Sequence, residues 1–410
     1  MGNVDDLEIR PVTEDEYVEW GRTVERAFGE DPSEERLGRF RPLYDDLSRT
    51  MAAFAGDRIV GTNADFAFDM SVPGGDPVPC AGVTAVSVAT DWRRRGVLRR
   101  MMREQLVRVH EEHQEPFAAL YASESPIYGR FGYGTAAPHI HYKIGRHHAE
   151  LAVDADVRSV RLIDAPTALE VYPVLYDAAR STRGGMMSRS ETWWRGVLEH
   201  DDPEDRDGWS PRSLALTPDR GYAFYRTKSD WDMQGAKGKL RVEQLVATDP
   251  ETAAALWQFL FGVDLVGEIV AWMRPVDDPL PSLLNYRGRL QENRREGLWL
   301  RLVDVGAALV TRRYDAPGQL TLEVRDSFCD WNQGKWSLEV DDDGQAACER
   351  SDRQPDLELG VDALAGLFLG GLAPHQLADA GRIDERRDGA LSAARRMFAT
   401  DHAPWNPFEF

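Results

Sequence analysis

Apolar side chains recur along this chain with two different periods, and the places where the period changes delimit its elements. Leu7 to Pro11 alternates as a short strand, after which Thr13 is placed to cap a helix and Glu16 to reach back as its capping-box partner. Tyr17, Trp20, Val24 and Phe28 follow at helical spacing and define one apolar face. Strand alternation returns on both sides of Gly56-Asp57, from Met51 to Phe54 and from Arg58 to Thr62, and runs on to Met70, the pattern of an antiparallel meander. Small and β-branched residues from Ala81 to Ala89 predict a buried strand. The basic turn Arg93 to Gly96 leads from it into a helix. There Leu98, Met101, Met102, Leu106 and Val109 form the core stripe, while Arg99, Arg103, Glu104 and Arg108 turn to water. Pro116 resets the chain, and Phe117 to Ala122 predicts the next strand.

This succession predicts a mixed α/β layered domain closing near residue 148. A similar order follows: a strand at Val160 to Ile163, a helix from Ala165 to Arg180, a hairpin from Ser213 to Thr217 and Gly221 to Arg226, a strand at Leu240 to Ala247 and a helix from Glu251. It has no basic glycine turn, so a related domain without a cofactor site is expected. Pro275 to Pro281 reads as a connection, and a third domain is expected to begin near Gly297. Its predicted strands are Leu298 to Val303, Leu320 to Val324, Lys335 to Val340 and Gln345 to Glu349; its helices are Val361 to Leu369 and Arg387 to Phe398. Two prolines keep Pro404 to Phe410 from being helical throughout.

Composition narrows the function classes. At 410 residues the chain is too long for one core, and about two to three domains are expected. A net charge of -20 repels phosphate backbones, which argues against nucleic acid as a partner. Solubility alone explains such acidity, so it does not by itself establish a cationic substrate. Cys80, Cys329 and Cys348 lie too far apart for a disulfide framework or a zinc site, which fits a reducing cytoplasm. Asp5, Asp6 and Glu8 stand where a secretory signal needs basic residues, and no window approaches the roughly 20 apolar residues of a membrane span. His139 and His141 share a strand face, with His147 and His148 following. No cysteine or carboxylate cluster completes a ligand set, so no metal is expected.

The candidate chemistry begins at Arg93-Arg94-Arg95-Gly96-Val97-Leu98. A strand giving way to a helix there aims backbone N–H groups at one point, where a pyrophosphate fits; a solvated basic turn is the bland alternative. The stretch Ala81 to Met102 resembles the acetyl-CoA motif of GNAT acetyltransferases. Arg93 and Gly96 match it, and Leu98 stands where the motif has a small residue. Ala122-Ser123-Glu124 and Ile127-Tyr128-Gly129-Arg130-Phe131-Gly132-Tyr133-Gly134 resemble the signature of the Eis (enhanced intracellular survival) branch. So do Asp278-Pro279-Leu280-Pro281, Gly297-Leu298-Trp299-Leu300-Arg301 and the terminal Phe408-Glu409-Phe410, in the same order.

That resemblance implies an α/β (α+β) architecture of tandem GNAT domains followed by a sterol-carrier-protein-like domain, expected at residues 1–148, 149–292 and 293–410. It implies that Val86, Ser87 and Val88 meet the pantetheine arm through their backbone, that Arg94, Arg95, Gly96, Val97, Leu98 and Arg99 hold the pyrophosphate, and that Ser123 and Glu124 border the acetyl-CoA. It also implies aminoglycoside, polyamine or lysine amines as acceptors, and a homo-oligomer, a hexamer.

Acetyl transfer needs a deprotonated amine, a polarised thioester and a proton donor for the thiolate. By the resemblance Tyr128 is that donor, since a phenol with pKa about 10 is protonated at neutral pH. Tyr133 is its rival, and a purely packed aromatic is the alternative for both. The base implied is the terminal carboxylate of Phe410, whose ordinary pKa of about 3.3 to 3.7 requires burial or a bridging water. Trp405, Phe408 and Phe410 predict an anchored tail. Glu30, Asp31 and Glu409 could attract a cationic amine, and Ala85, where the branch can carry a bulky aromatic residue, predicts a differently shaped amine pocket. The competing function is a non-catalytic acyl-CoA or lipid-binding protein, suggested by the apolar segment Leu364 to Leu372.

Overall fold

The computed structural model describes residues 4–30, 33–233 and 235–410. Strand β1 (Glu8–Arg10) leads to helix α1 (Tyr17–Phe28), whose entry is fixed by the Glu16 carboxylate accepting from the Thr13 N–H at 2.9 Å. Tyr17 and Trp20 are buried as the periodicity requires, but Phe28, the last helical residue before left-handed Gly29, is 55% exposed. Helix α2 (Glu34–Phe40) is capped by Ser33, and the alternating stretch then folds at Gly56-Asp57 into β2 (Thr50–Ala55) and β3 (Arg58–Met70). Strand β4 (Val78–Val88), helix α3 (Val97–Arg108), strand β5 (Phe117–Tyr121) and the short helix α4 (Ser125–Tyr128) complete this region.

Next come β6 (Gly134–Gly145), β7 (Arg161–Ile163), α5 (Ala165–Arg180), α6 (Glu191–Leu198), β8 (Ser213–Thr217) and β9 (Gly221–Lys228). A small hairpin, β10 (Trp231–Asp232) with β11 (Gly235–Ala236), precedes β12 (Gly238–Ala247), α7 (Pro250–Phe261), β13 (Val266–Pro275) and α8 (Leu280–Leu283). The last third holds β14 (Gln291–Leu302), α9 (Val305–Leu309), β15 (Gly318–Arg325), β16 (Gly334–Val340), β17 (Ala346–Arg350), β18 (Leu357–Gly360), α10 (Val361–Phe368), α11 (Pro374–Asp379), β19 (Ile383–Glu385) and α12 (Ala390–Met397).

Packing gathers these into two units, one made of residues up to Ala136, Leu298–Ala399 and Phe410, the other of Ala137–Gly297 and Thr400–Glu409. In the first unit the strand order is β1-β2-β3-β4-β5-β14, antiparallel except for β4 with β5. A second sheet in the same unit has the order β17-β16-β15-β18-β19. The other unit orders its strands β6-β13-β12-β9-β8-β7, with β12 and β13 parallel.

The strand that begins near Gly297 pairs with β5 in the first unit, Leu298 opposite Tyr121 through Leu302 opposite Phe117. Its apolar run is buried on both faces, which the sequence alone could not assign to one sheet or another. The segment around Leu364 is core: α10 buries Val361, Leu364, Leu367 and Phe368. Among the described residues no helix is long and apolar enough to cross a membrane.

Candidate active site

Strands β4 and β5 pair over three residues only, Cys80 with Phe117, Ala81 with Ala118 and Gly82 with Ala119. Among the described residues no strand of the sheet pairs with that edge of β4 beyond Gly82, which leaves it open for an extended ligand. The same stretch of β4 carries a bulge. Thr62 opposes Ser87 and Ala64 opposes Thr84, so the register shifts between them, and Ala85 takes a left-handed φ of 52°. Thr62 fixes the bulge by donating to the Ala85 carbonyl at 2.8 Å, with Ser87 Oγ 2.7 Å away. Val86 and Val88 are half-buried beside the buried Ser87.

The basic turn lies between β4 and α3. Arg94 and Gly96 both have positive φ, 63° and 95°, and the helix starts at Val97 with no side chain capping it. The first N–H groups of a helix lack internal partners, so Val97, Leu98 and Arg99 present donors there, with exposed Arg94, Arg95 and Arg99 adding charge. A Cβ on Gly96 would meet nothing within 4 Å. The pyrophosphate and pantetheine of acetyl-CoA therefore fit the residues present.

Tyr128 ends α4 and is 6% exposed; burial, and then Glu124, push its phenol up to about 12, so it is protonated at neutral pH. Tyr133, fully buried with its ring 6.1 Å away, is likewise raised well above the ordinary phenol range by burial, and its hydroxyl makes no hydrogen bond. Ser123 and Glu124 are exposed between β5 and α4. The Phe410 ring packs 5.0 Å from Phe68 and 5.5 Å from Tyr121, and a Cβ on Gly82 would come within 3.1 Å of it. The Phe410 ring thus sits over the point where β4 and β5 part.

The tail before it is anchored within the second unit. Trp405 donates to the Met273 carbonyl at 2.5 Å, the Met187 N–H donates to Asn406 at 3.2 Å, and the Arg189 guanidinium lies 4.1 Å over Phe408. Glu409 stands exposed, yet desolvation of its carboxyl raises it above the ordinary glutamate range while Arg295 opposes the shift.

Other candidates fall elsewhere. His139 and His141 belong to the second unit, where their Nε2 atoms lie 3.1 Å apart and burial holds His139 down to about 4. Among the described residues no cluster of three metal-ligating side chains occurs. Glu30 is exposed beside Arg36, and Asp31 lies outside the described residues.

The sequence reading missed two buried polar networks. Under β3, Arg49 is shared by Asp65 at 2.7 Å and Glu115 at 2.8 Å, and Gln105 of α3 donates to Asp65 at 3.1 Å. Behind the tyrosines, Arg301 is fully buried against Asp326 at 2.5 Å. Its signal was legible: one arginine inside the apolar run Leu298–Val303.

Comparison with known proteins agrees with this geometry. Residues 8–136 and 185–302 match acetyltransferase (GNAT) domain families, and 305–407 match a sterol carrier protein domain. An uncharacterised N-acetyltransferase of Streptomyces avermitilis is 40% identical across 98% of this chain and 99% of its own. N-acetyltransferase Eis of Mycobacterium tuberculosis is 33% identical over 87% of each chain. The crystal structure of Eis1 from Mycobacterium abscessus superposes with a TM-score of 0.86 at 31% identity, covering 98% of this chain and 100% of that one. The bulged, splayed strand, the uncapped helix start and the full-length similarity together make this chain an acetyltransferase, a member of the Eis family of GNAT enzymes with a sterol-carrier-like third domain.

Proposed function

We propose that the enzyme moves the acetyl group of acetyl-CoA to a primary amine of a cationic acceptor, of the aminoglycoside, polyamine or lysine class. When bound, acetyl-CoA supplies the thioester that is cleaved. The backbone of Val86, Ser87 and Val88 orients its pantetheine arm; Arg94 to Arg99 hold its pyrophosphate; Ser123 and Glu124 flank it. The Phe410 carboxylate takes the proton from the incoming ammonium, directly or through a water, as the amine nitrogen bonds to the acetyl carbon. Tyr128 gives its proton to the sulfur as the carbon–sulfur bond breaks. Tyr128 is preferred to Tyr133 because it retains some exposure, whereas the Tyr133 phenol is sealed in the core.

The observation that carries this reading is the Phe410 ring stacked over Gly82, the last paired residue before the splay. The test is thiol release from acetyl-CoA across a panel of aminoglycosides, polyamines and lysine peptides. Amine-dependent release that collapses when one alanine is appended after Phe410 is expected; undiminished turnover in the extended protein sinks the carboxylate role. The module boundaries at 148 and 292 and the hexamer are likewise proposals, the latter read by light scattering.

A further inference from the structure

The loop Asp326–Asn332 in the sterol-carrier-like region touches both halves of the candidate site. Phe328 is buried with its ring 5.0 Å from Phe131, on the turn that follows Tyr128, and the Arg99 guanidinium of the cofactor helix lies 5.2 Å over the same ring. Arg103, one turn along α3, donates to the Phe328 carbonyl and pairs with Asp330 at 3.1 Å, while His110 stacks on Trp331 at 4.6 Å.

The loop itself is rigidly held. One Asp326 oxygen accepts from the N–H groups of Phe328 at 3.2 Å and Cys329 at 3.0 Å; the other accepts from Asn332 at 3.1 Å and is ion-paired with Arg301. Arg301 in turn supports the tyrosine turn. Gly132, with φ of 84°, approaches so closely that a Cβ there would stand 2.6 Å from Nη1 and 2.8 Å from Val361. A Cβ on Gly134 would collide with the Asp362 carbonyl. Every one of these groups belongs to the first unit.

We propose that Arg301, Asp326 and Phe328 are positioning residues of the acetyltransferase: Phe328 is a wedge setting the spacing between the Tyr128 turn and the cofactor helix, and the Arg301–Asp326 pair locks the wedge. The third domain is on this account a working wall of the active site rather than an independent carrier. The inference rests on the proposed roles of Tyr128 and α3, and it is tested by two readouts that separate it from them.

The first readout is acetyl-CoA binding by calorimetry, which needs no turnover. Phe328→Ala frees Arg99 and is expected to weaken binding about fivefold, with Phe328→Leu close to wild type. The second is kcat with the best acceptor. A displacement of about 1 Å costs on the order of 100-fold, so Phe328→Ala is expected to lose that much and Phe328→Leu to recover most of it. Arg301→Met/Asp326→Leu replaces the ion pair by apolar groups but also removes the acceptor of the Phe328, Cys329 and Asn332 donors, so the melting temperature is expected to fall. In the protein that remains folded, kcat is expected to fall by the same order. A double variant that is both stable and fully active overturns the proposal, as does Phe328→Ala with unchanged binding and kcat. Should the double variant fail to fold, the Phe328 pair decides alone. Absence of amine-dependent release in the wild type would instead remove the proposed function and leave the binding arm to judge the wedge.

Discussion

The two GNAT modules build the same parallel strand pair and join its strands by a helix, yet they treat the start of that helix in opposite ways. In the first, α3 begins at Gly96 with no capping side chain and no acidic residue in its first turn. In the second, α7 is capped by its own Asp249, which accepts from the Thr252 N–H at 2.8 Å and is paired with Arg220 at 2.8 Å, with Glu251 in the first turn. The position a phosphate would need is occupied by a carboxylate of the chain. A cofactor site is thus closed by satisfying the helix end internally, at no cost to the fold.

The buried charges differ in the same spirit. In the first module two carboxylates share Arg49, and burial, only partly offset by that guanidinium, raises Glu115 to about 7. In the second, burial alone would raise Glu243, but Arg212 at 2.8 Å, Arg226 at 3.0 Å and Arg241 at 2.7 Å hold it below its ordinary range.

The largest expected effect concerns the proton donor proposed in the first module. Tyr128→Phe should lower kcat by on the order of 100- to 1000-fold while leaving acetyl-CoA affinity intact. A milder loss than Tyr133→Phe in the same assay would transfer the donor role to Tyr133.

The next effect is on stability against pH. Between about 4.5 and 7 folded Glu115 holds a proton that the unfolded chain has released, so its contribution is present below that window and is lost as pH rises through it. Glu243 behaves oppositely: its contribution is present at neutral pH and lost only as pH falls below the ordinary glutamate range. Glu115→Gln should flatten the decline in melting temperature from pH 5 to 8, a term of about 2 kcal/mol, whereas Glu243→Gln should destabilise at pH 7. Parallel pH profiles for the two variants would contradict this contrast.

Smaller still is the consequence of giving the first helix the second one's ending. Gly96→Asp should weaken acetyl-CoA binding about tenfold, with Gly96→Asn, equally tolerant of the left-handed backbone, as its neutral control. Equal affinities in the two variants would refute a pyrophosphate at this helix start. The converse change, Asp249→Ala, removes a cap and should cost about 1 kcal/mol of stability with no change in acetyl-CoA affinity, measured by denaturant melts and calorimetry.

Much of this was legible in the residues. The period changes marked most of the longer strands and the longest helices but not β13, α2, α6 or α11, and α5 runs from Ala165 to Arg180 as its apolar spacing predicts. The turns at Arg93 to Gly96 and in the tyrosine-glycine run were legible because backbone conformation there is local: a turn needing positive φ leaves its glycine in the sequence. The bulge at Ala85 left no such mark, since an alanine occupies its left-handed position. The buried arginines were missed because a charge in an apolar strand is interpretable only once its partner is known, and Asp326 lies 25 residues beyond Arg301.

By itself, then, the sequence determined most of the elements, the basic glycine turn and the family, all properties of short stretches whose physics is complete within a dozen residues. Tertiary structure alone decided that β14 pairs with β5, that Phe410 lies where β4 and β5 separate, and that a loop of the third domain is wedged beside the tyrosine turn. Those pairings join residues far apart in the chain, and strand order and ring packing are settled by competition among many similar apolar surfaces that no local pattern ranks.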